Sequence, residues 1–373
     1  MIIRQTLYYD FDMKQLLTTI IMVIVLCACQ DKNIRKDSYI IPAPKEFKSI
    51  DNLDITYEIK KLQDNTDIAL LGDVSNIEIS ANYIYCLERN RSVHIFDSNG
   101  NFVKRIAVGR GPGELIMPMD ICLNPQNGNL NVLTRTKIME FSPDGNYLGT
   151  NDMPSIMYME VENCGNLYLL YSARYSEKNT NYFRIYNSIN NQITPIVDAV
   201  NLPPILGRNH MAKSSDGGIY FNGMYGNIIY KLNHKDGSYD VKYTLDNVAA
   251  EDDLNITDPE EWSDNNEKYL LLGDFREYKN GLWGMTVSKK TRHRIIYNPA
   301  KQEAYELEHI TGLVYVGFDM NNDYYTISPI SVLNTDLSNI KSKNLKKMFN
   351  ELYELSKNNE EGNPFLIKMN YEL

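Results

Sequence analysis

Four acidic residues and one histidine of this 373-residue chain are its strongest candidates for metal binding or catalysis. The set is Glu78, Asp120, Glu160, His210 and Asp319. Oxygen ligands that converge from separate strands are what Ca²⁺ binds in proteins, so a calcium site is one interpretation. The other interpretation is that these side chains form hydrogen bonds with water and backbone amides in a solvent-filled channel of the protein. We favour the second, which assigns no cofactor and no catalytic residue, and keep calcium as the alternative.

Five arginines form a second set at predicted loop positions: Arg89, Arg110, Arg135, Arg174 and Arg208. The planar guanidinium group of arginine matches the geometry of carboxylate and phosphate groups. A cluster of these side chains would make a local anion-attracting surface on an acidic protein, and we predict a ligand-binding face here. The alternative is that the arginines pair with neighbouring carboxylates, Arg110 with Glu114 of its own loop for example.

Both sets depend on a repeated element that positions them. An aromatic residue marks the end of the third strand in each proposed repeat: Phe96, Phe141, Tyr186, Tyr230 and Tyr297. The steps between these residues are 45, 45, 44 and 67 residues. Turn residues such as Asn99-Gly100 follow in register. Repeats of this length are typical of four-stranded blades, which stack radially because none can bury its faces alone. The sequence therefore predicts an all-β, six-bladed β-propeller of four-stranded antiparallel blades.

The blade boundaries follow from this period. The first five blades are predicted at 75–108, 118–150, 156–197, 209–246 and 267–308. The sixth combines strands at 312–318, 323–328 and 364–373 with a strand at 54–62 from the amino-terminal side, which removes an exposed sheet edge. Residues 53–373 would then form one domain. In such a ring the acidic set lies on or near inner strands that line the channel, and the five arginines lie in loops that open on one face.

Two segments stand outside the repeat. Apolar residues at three- and four-residue spacing predict one C-terminal amphipathic helix over 344–357, packed on the propeller rim. Residues 247–267 are rich in carboxylates and poor in apolar residues. We interpret them as an acidic insertion, which explains why the last spacing between aromatic residues is 67 residues and the others are 44 or 45.

The segment from Val93 to Leu115 resembles an NHL repeat. It contains two predicted strands, a tight turn and the glycine-rich run Gly109-Arg110-Gly111-Pro112-Gly113-Glu114. That run is similar to the six-bladed propeller family common in Bacteroidetes lipoproteins. The resemblance implies a propeller from a family whose members mostly lack an assigned reaction. The histidine set of a zinc-dependent lyase of the NHL type is missing from this sequence.

The amino-terminal region has the pattern of a bacterial lipoprotein signal. Leu16 to Ala28 is nearly all apolar and ends in Leu26-Cys27-Ala28-Cys29, which matches a lipobox. We expect residues 1–28 to be a signal peptide whose true start is Met13, Cys29 to be lipidated (palmitate among the acyl chains), and 29–52 to be a lipidated N-terminus and tether. Gln30 after the cysteine favours the outer membrane, on its periplasmic or its outer surface.

The amino-acid composition limits the kinds of binding partner that we expect. The formal net charge of −10 argues against nucleic acid. Beyond Cys29, the predicted mature chain keeps Cys86, Cys122 and Cys164, which we expect to be buried thiols, with a bridge between the first two as the alternative. The sequence therefore predicts an envelope lipoprotein that acts as a ligand-binding or protein-scaffolding propeller for a peptide, a glycan or a protein partner, and it favours this function over an enzyme. A calcium-assisted hydrolase or lyase with its site in the central channel is the alternative.

Overall fold

The computed structural model describes the chain from residue 39 onward, with short gaps. The described residues are 39–41, 46–135, 137–153, 156–172, 180–199, 209–223, 226–246, 248–250, 268–289, 291–307, 309–357 and 359–372. The predicted signal peptide and Cys29 lie outside this part of the chain, as does most of the predicted acidic insertion. No helix within the described ranges is long and apolar enough to cross a membrane.

Three strands precede the first complete blade, namely β1 Tyr39–Ile41, β2 Glu46–Ser49 and β3 Asp54–Lys60. Blade 1 consists of β4 Asn76–Ile79, β5 Tyr83–Glu88, β6 Ser92–Asp97 and β7 Phe102–Ile106. Blade 2 consists of β8 Asp120–Leu123, β9 Leu130–Leu133, β10 Lys137–Phe141 and β11 Tyr147–Asp152. Blade 3 consists of β12 Glu160–Asn163, β13 Leu167–Tyr171, β14 Asn181–Asn187 and β15 Gln192–Asp198.

The second half of the ring repeats this order. Blade 4 consists of β16 Met211–Lys213, β17 Ile219–Phe221, β18 Ile228–Leu232 and β19 Tyr239–Leu245. Blade 5 consists of β20 Leu270–Glu277, β21 Trp283–Lys289, β22 Thr291–Asn298 and β23 Glu303–Leu307. Blade 6 consists of β24 Val314–Phe318, β25 Asn322–Ile327, β26 Phe365–Glu372 and β3. The six antiparallel blades confirm the predicted propeller.

Blade 6 closes the ring with strands from both sides of the chain. β3 pairs antiparallel with β26 over seven residue pairs, from Asp54 opposite Glu372 to Lys60 opposite Leu366. This pairing gives blade 6 its outer strand, as the sequence predicted. Because each blade is covered on both faces by its neighbours, the second strands are almost continuously buried, and apolar clusters join successive blades.

The amino-terminal strands extend two blades beyond four strands. β1 pairs in parallel with β19 of blade 4, and β2 pairs in parallel with β23 of blade 5. Both lie within the range that the sequence analysis placed in a tether. They cover the outer edges of their blades, where unpaired N–H and C=O groups would otherwise be exposed. Because these strands are only three and four residues long, they contain no periodic pattern that would predict them from the sequence.

Two α-helices follow β25 in the described chain, α1 Pro329–Leu333 and α2 Lys343–Ser356. Helix α2 agrees with the prediction to one residue at each end and buries Leu345, Met348, Phe349 and Leu352 against the core of blades 5 and 6. Short 3-10 turns occupy Ile50–Asn52 and Leu337–Asn339. The turn at 50–52 supplies Asp51, whose carboxylate accepts hydrogen bonds from Ser342 Oγ and from the backbone N–H of Lys343 at the start of α2.

Candidate functional site

The inner strands of the six blades surround a central cavity of about 370 Å³. Glu78, Asp120, Glu160 and Asp319 of the predicted acidic set all line it. His210 is buried immediately before β16. The structure therefore brings the predicted carboxylates to one channel. The hydrogen bonds of each carboxylate show what it does there.

Asp120 connects three blades. Its Oδ1 accepts a hydrogen bond from Asn76 Nδ2 of blade 1 at 2.5 Å, and its Oδ2 accepts one from the backbone N–H of Val161 in blade 3 at 2.8 Å. Burial, together with the nearby charge of Glu160, raises the pKa of Asp120 to about 8. The Asp120 side chain thus links the inner strands of neighbouring blades, and both of its oxygens accept hydrogen bonds from the protein.

Glu160 makes the equivalent connection from blade 3 to blade 4. Its Oε2 accepts from the backbone N–H of His210 at 2.7 Å, and its Oε1 lies 2.8 Å from His210 Nδ1. The imidazole stacks on the ring of Tyr171, with centroids 4.1 Å apart. His210 is therefore held on two sides, by a carboxylate and by an aromatic face.

A lysine that sequence reasoning missed lies in the same cavity. Lys213 Nζ is 3.1 Å from Glu162 Oε1 and 3.9 Å from Glu78 Oε2, so one ammonium group faces carboxylates from blades 3 and 1. Burial raises the pKa of Glu78 to about 7, because the charges of Glu162 and Asp319 offset the lowering by Lys213. The only sequence signal for this contact is the charged end of the short strand β16.

Asp319 is the fourth predicted carboxylate, and it stabilises its own turn. It accepts hydrogen bonds from the backbone N–H of Asn321 at 2.6 Å and from Tyr324 Oη at 2.6 Å. The channel carboxylates thus bind different protein donors. Within the described ranges no group of three or more His, Cys, Asp or Glu side chains is arranged to hold a metal ion. The donor set does not fit the converging oxygens that a calcium site requires.

Three of the five predicted arginines lie in adjacent loops of blades 1 and 2, whereas Arg174 and Arg208 fall outside the described residues. Arg89 Nε donates to the carbonyl of Met119 at 3.2 Å, which joins the loop after β5 to the segment that enters blade 2. Arg110 and Arg135 are exposed. Neither has a hydrogen-bond or ion-pair partner within the described part of the chain.

The loop that carries Arg110 crosses from blade 1 to blade 2 and has a fixed shape. Glu114 accepts a hydrogen bond from the backbone N–H of Gly111 at 2.6 Å, so it pairs with its own loop and not with Arg110. A Cβ at Gly109 would overlap the Glu114 carboxylate, so a larger residue there would displace that side chain. Beside this loop Val108, Ile116 and Met117 expose 48, 54 and 39% of their surfaces.

A buried ionic cluster between blades 5 and 6 was also missed. Arg276 Nη2 lies 2.5 Å from Asp323 Oδ1, and Arg294 Nη2 lies 3.1 Å from Asp323 Oδ2. Tyr278 Oη donates to Asp323 Oδ1 at 2.7 Å. Burial opposes ionisation, but the two guanidinium groups hold the pKa of Asp323 below its ordinary value. No sequence pattern links these residues, which come from β20 and the residue after it, from β22 and from β25.

The three predicted thiols are buried and free, as expected. Burial raises the pKa of Cys164 to about 12 and raises those of Cys86 and Cys122 as well. Their sulfur atoms therefore behave as small apolar groups.

The fold and the channel define a six-bladed β-propeller whose inner-strand carboxylates brace neighbouring blades. Residues 56–370 match the family described as Domain of unknown function (DUF4934), and the chain belongs to that family. A search of curated proteins finds no match.

Solved structures include chains to which this one is similar. The crystal structure of an exported protein from Bacteroides fragilis has a TM-score of 0.67 at 16% identity and covers 90% of this chain and 100% of its own. BamB from Moraxella catarrhalis gives a TM-score of 0.45 at 10% identity, with 84% of this chain and 100% of that chain covered. The extracellular domain of a one-component system from B. thetaiotaomicron gives 0.39 at 11% identity, with 73% of this chain and 32% of that chain covered.

Proposed function

We propose that the protein is a lipid-anchored propeller of the bacterial envelope that binds a ligand through the loops of blades 1 and 2. The observation that carries this proposal is that Arg110 and Arg135 are exposed and have no hydrogen-bond or ion-pair partner in the described ranges, while Val108, Ile116 and Met117 are exposed at the loop of Arg110. On the surface of a protein, an exposed apolar patch beside charged side chains is typical of an interaction site. Peptide, glycan and protein ligands all remain compatible with this general function.

The location rests on the sequence around Cys29. An apolar segment followed by Leu-Cys-Ala-Cys is the signal for acylation at the last cysteine, and Gln30 favours the outer membrane. Several acyl chains on one residue would hold the protein at the membrane almost permanently. The exported protein of Bacteroides fragilis, similar in fold, supports an envelope location.

The channel offers less support for an enzyme. A general acid or base must be free to exchange a proton with substrate. Asp120 and Glu160 instead accept backbone N–H groups from the next blade, and Asp319 accepts from its own turn. These contacts favour a structural role for the channel carboxylates over a calcium-assisted hydrolase or lyase.

Two measurements test the proposal. Intact mass spectrometry of the protein purified from its native membrane should show cleavage before Cys29 and added acyl mass, and Cys29→Ala should lack both and leave the membrane fraction. Ligand binding by the mature chain should be lost when Arg110 and Arg135 are both changed to Glu. Unmodified native protein, or binding that survives this double reversal, would refute the anchor or the binding face respectively.

A further inference from the structure

We infer that the ligand is a polypeptide segment that carries acidic and aliphatic side chains. It would dock on a surface formed by Val108, Arg110, Ile116, Met117 and Arg135, which we call the docking surface. This inference rests on the proposed function, because it names the ligand class for the same loops. Four observations carry it: contiguity, rigidity, charge and the chemistry of the exposed side chains.

The first observation is that the loops of the docking surface are joined by backbone hydrogen bonds. The backbone N–H of Asn90 donates to the carbonyl of Pro118 at 2.8 Å, and that of Met119 donates to the carbonyl of Leu133 at 2.8 Å. Residues 117–119 therefore lie between the loop after β5 and the end of β9, two residues before Arg135. These hydrogen bonds join the segment that carries Ile116 and Met117 to the loop after β5 on one side and to the strand that leads to Arg135 on the other.

The second observation is that the docking surface has a rigid base. Leu115 is fully buried in the apolar cluster of blades 1 and 2, directly before the exposed Ile116. Its backbone N–H donates to the carbonyl of Ala107 at 2.9 Å, and its carbonyl accepts from Gly109. Exposed apolar groups on a fixed backbone bind with little loss of conformational entropy, which is typical of a preformed binding surface.

The third observation is charge. The chain has a formal net charge of −10, yet Arg110 and Arg135 are exposed with no carboxylate paired to either in the described ranges. Guanidinium groups in this state attract carboxylates and can bind them through two parallel hydrogen bonds. Like charges elsewhere on the protein would repel an acidic ligand, so these loops are where it would be attracted.

The fourth observation is the kind of apolar surface. The exposed apolar side chains of the docking surface are the aliphatic groups of Val108 and Ile116 and the flexible thioether of Met117, and the partly exposed ring of Tyr147 lies beside Gly113 of the same loop. Sugars usually pack on flat aromatic rings, whereas aliphatic and Met surfaces accept the side chains of peptides. Three aliphatic or thioether side chains beside a single aromatic ring therefore favour a polypeptide with acidic and apolar residues as the ligand.

The test begins with the mature chain and a display library of short random peptides. We expect the selected peptides to place Asp or Glu next to Leu, Ile or Phe. The best peptide is then synthesised and its Kd is measured by fluorescence anisotropy against four variants. Arg110→Glu and Ile116→Asp should each weaken binding by about tenfold or more. The matched controls Lys235→Glu and Ile330→Asp should leave the Kd unchanged, since both positions are exposed, Ile330 to 55%.

Charge exchange gives a second readout that does not depend on loss of binding. A peptide whose acidic residues are replaced by Lys should bind poorly to the wild type and regain affinity for the Arg110→Glu, Arg135→Glu double variant. Circular dichroism and the thermal midpoint of each variant establish that the fold is intact.

The outcomes separate this inference from the proposed function. If Arg110→Glu abolishes binding of an anionic glycan such as heparin while no peptide is selected, the binding face stands and the polypeptide inference is overturned. Peptides whose affinity is unchanged by the substitutions of Arg110 and Ile116 but falls with the control substitutions would overturn both the binding face and the polypeptide inference. Selection of acidic-aliphatic peptides with the predicted losses and the charge-exchange rescue would support both.

Discussion

The buried cluster around Asp323 gives the sharpest prediction about stability. Asp323 has no exposed surface and receives the guanidinium groups of Arg276 and Arg294 together with the hydroxyl of Tyr278. Asp323→Asn keeps the shape of the side chain but replaces an acceptor oxygen with an NH₂ donor that faces other donors. The buried Arg276 would then lose its counter-ion, whereas Arg294 would keep Asp274, whose Oδ2 lies 3.2 Å from its Nη1.

The expected cost follows from that loss. Removal of one partner from a buried ion pair typically costs about 3–5 kcal/mol, because the remaining charge is left without compensation. For a domain of this size we expect the thermal midpoint to fall by on the order of 10 °C. The matched control is Asp152→Asn. Asp152 pairs with Lys137 at 3.1 Å but its side chain is 82% exposed, so its loss should hardly change the midpoint.

Chemical unfolding in urea and differential scanning calorimetry measure both variants. Gly284→Ala provides an independent perturbation of the same cluster, since a Cβ there would overlap the guanidinium group of Arg276. Because both substitutions break one contact, the double variant should be less destabilised than the sum of the singles. A free energy of unfolding for Asp323→Asn within about 1 kcal/mol of the wild type would refute the reasoning.

The pH dependence has a definite sign. The folded pKa of Asp323 is lowered, so the folded state binds fewer protons than the unfolded state near that pH. Its stabilisation is complete above the ordinary aspartate pKa of about 4 and is lost as the pH falls through the lower folded value. The acid limb of the stability curve should therefore be shallower for Asp323→Asn than for the wild type.

Three further predictions concern other parts of the fold. Asp51→Ala removes the carboxylate at the start of α2 and should cost about 1 kcal/mol in urea unfolding; an unchanged midpoint would show that Ser342 caps the helix alone. Burial raises the pKa of Glu78 to about 7, so the wild type should lose stability as the pH rises from about 4.5 to about 7, and Glu78→Gln should flatten that slope in thermal scans; equal slopes would contradict the assignment. The three buried thiols, all with raised pKa, should react with a thiol reagent only after urea unfolds the protein, and rapid labelling of the native chain would contradict their burial.

Much of the fold was accessible from the sequence, because it rests on local signals. The 45-residue spacing of Phe96, Phe141 and Tyr186 and the hairpin turns at Asn99-Gly100 and its equivalents record a repeated blade. The apolar face of α2 follows the same kind of local periodicity. The parallel strands β1 and β2 have no such signal, since two short segments pair with edges that are about 200 and 250 residues away.

The candidate sites were only partly predictable for a related reason. Topology placed Arg89, Arg110 and Arg135 in neighbouring loops, but the exposure of Ile116 depends on the burial of Leu115 beside it. Likewise, Lys213 was missed because its partners Glu78 and Glu162 lie on other blades, at separations that sequence does not encode. Contacts between blades depend on the closed ring, and no single repeat contains them.

The channel shows why regularly placed acids in a propeller need a structural explanation before a catalytic one. At two blade junctions the first residue of an inner strand lies close to a backbone N–H of the next blade. Asp120 and Glu160 accept the backbone N–H groups of Val161 and His210. A buried N–H without a partner costs about 1–3 kcal/mol, so an acceptor at each junction stabilises the ring directly. Recurrence of an acidic residue from blade to blade is thus the expected signature of ring closure, whereas a binding site appears where the repeat is broken, as in the loop of Arg110.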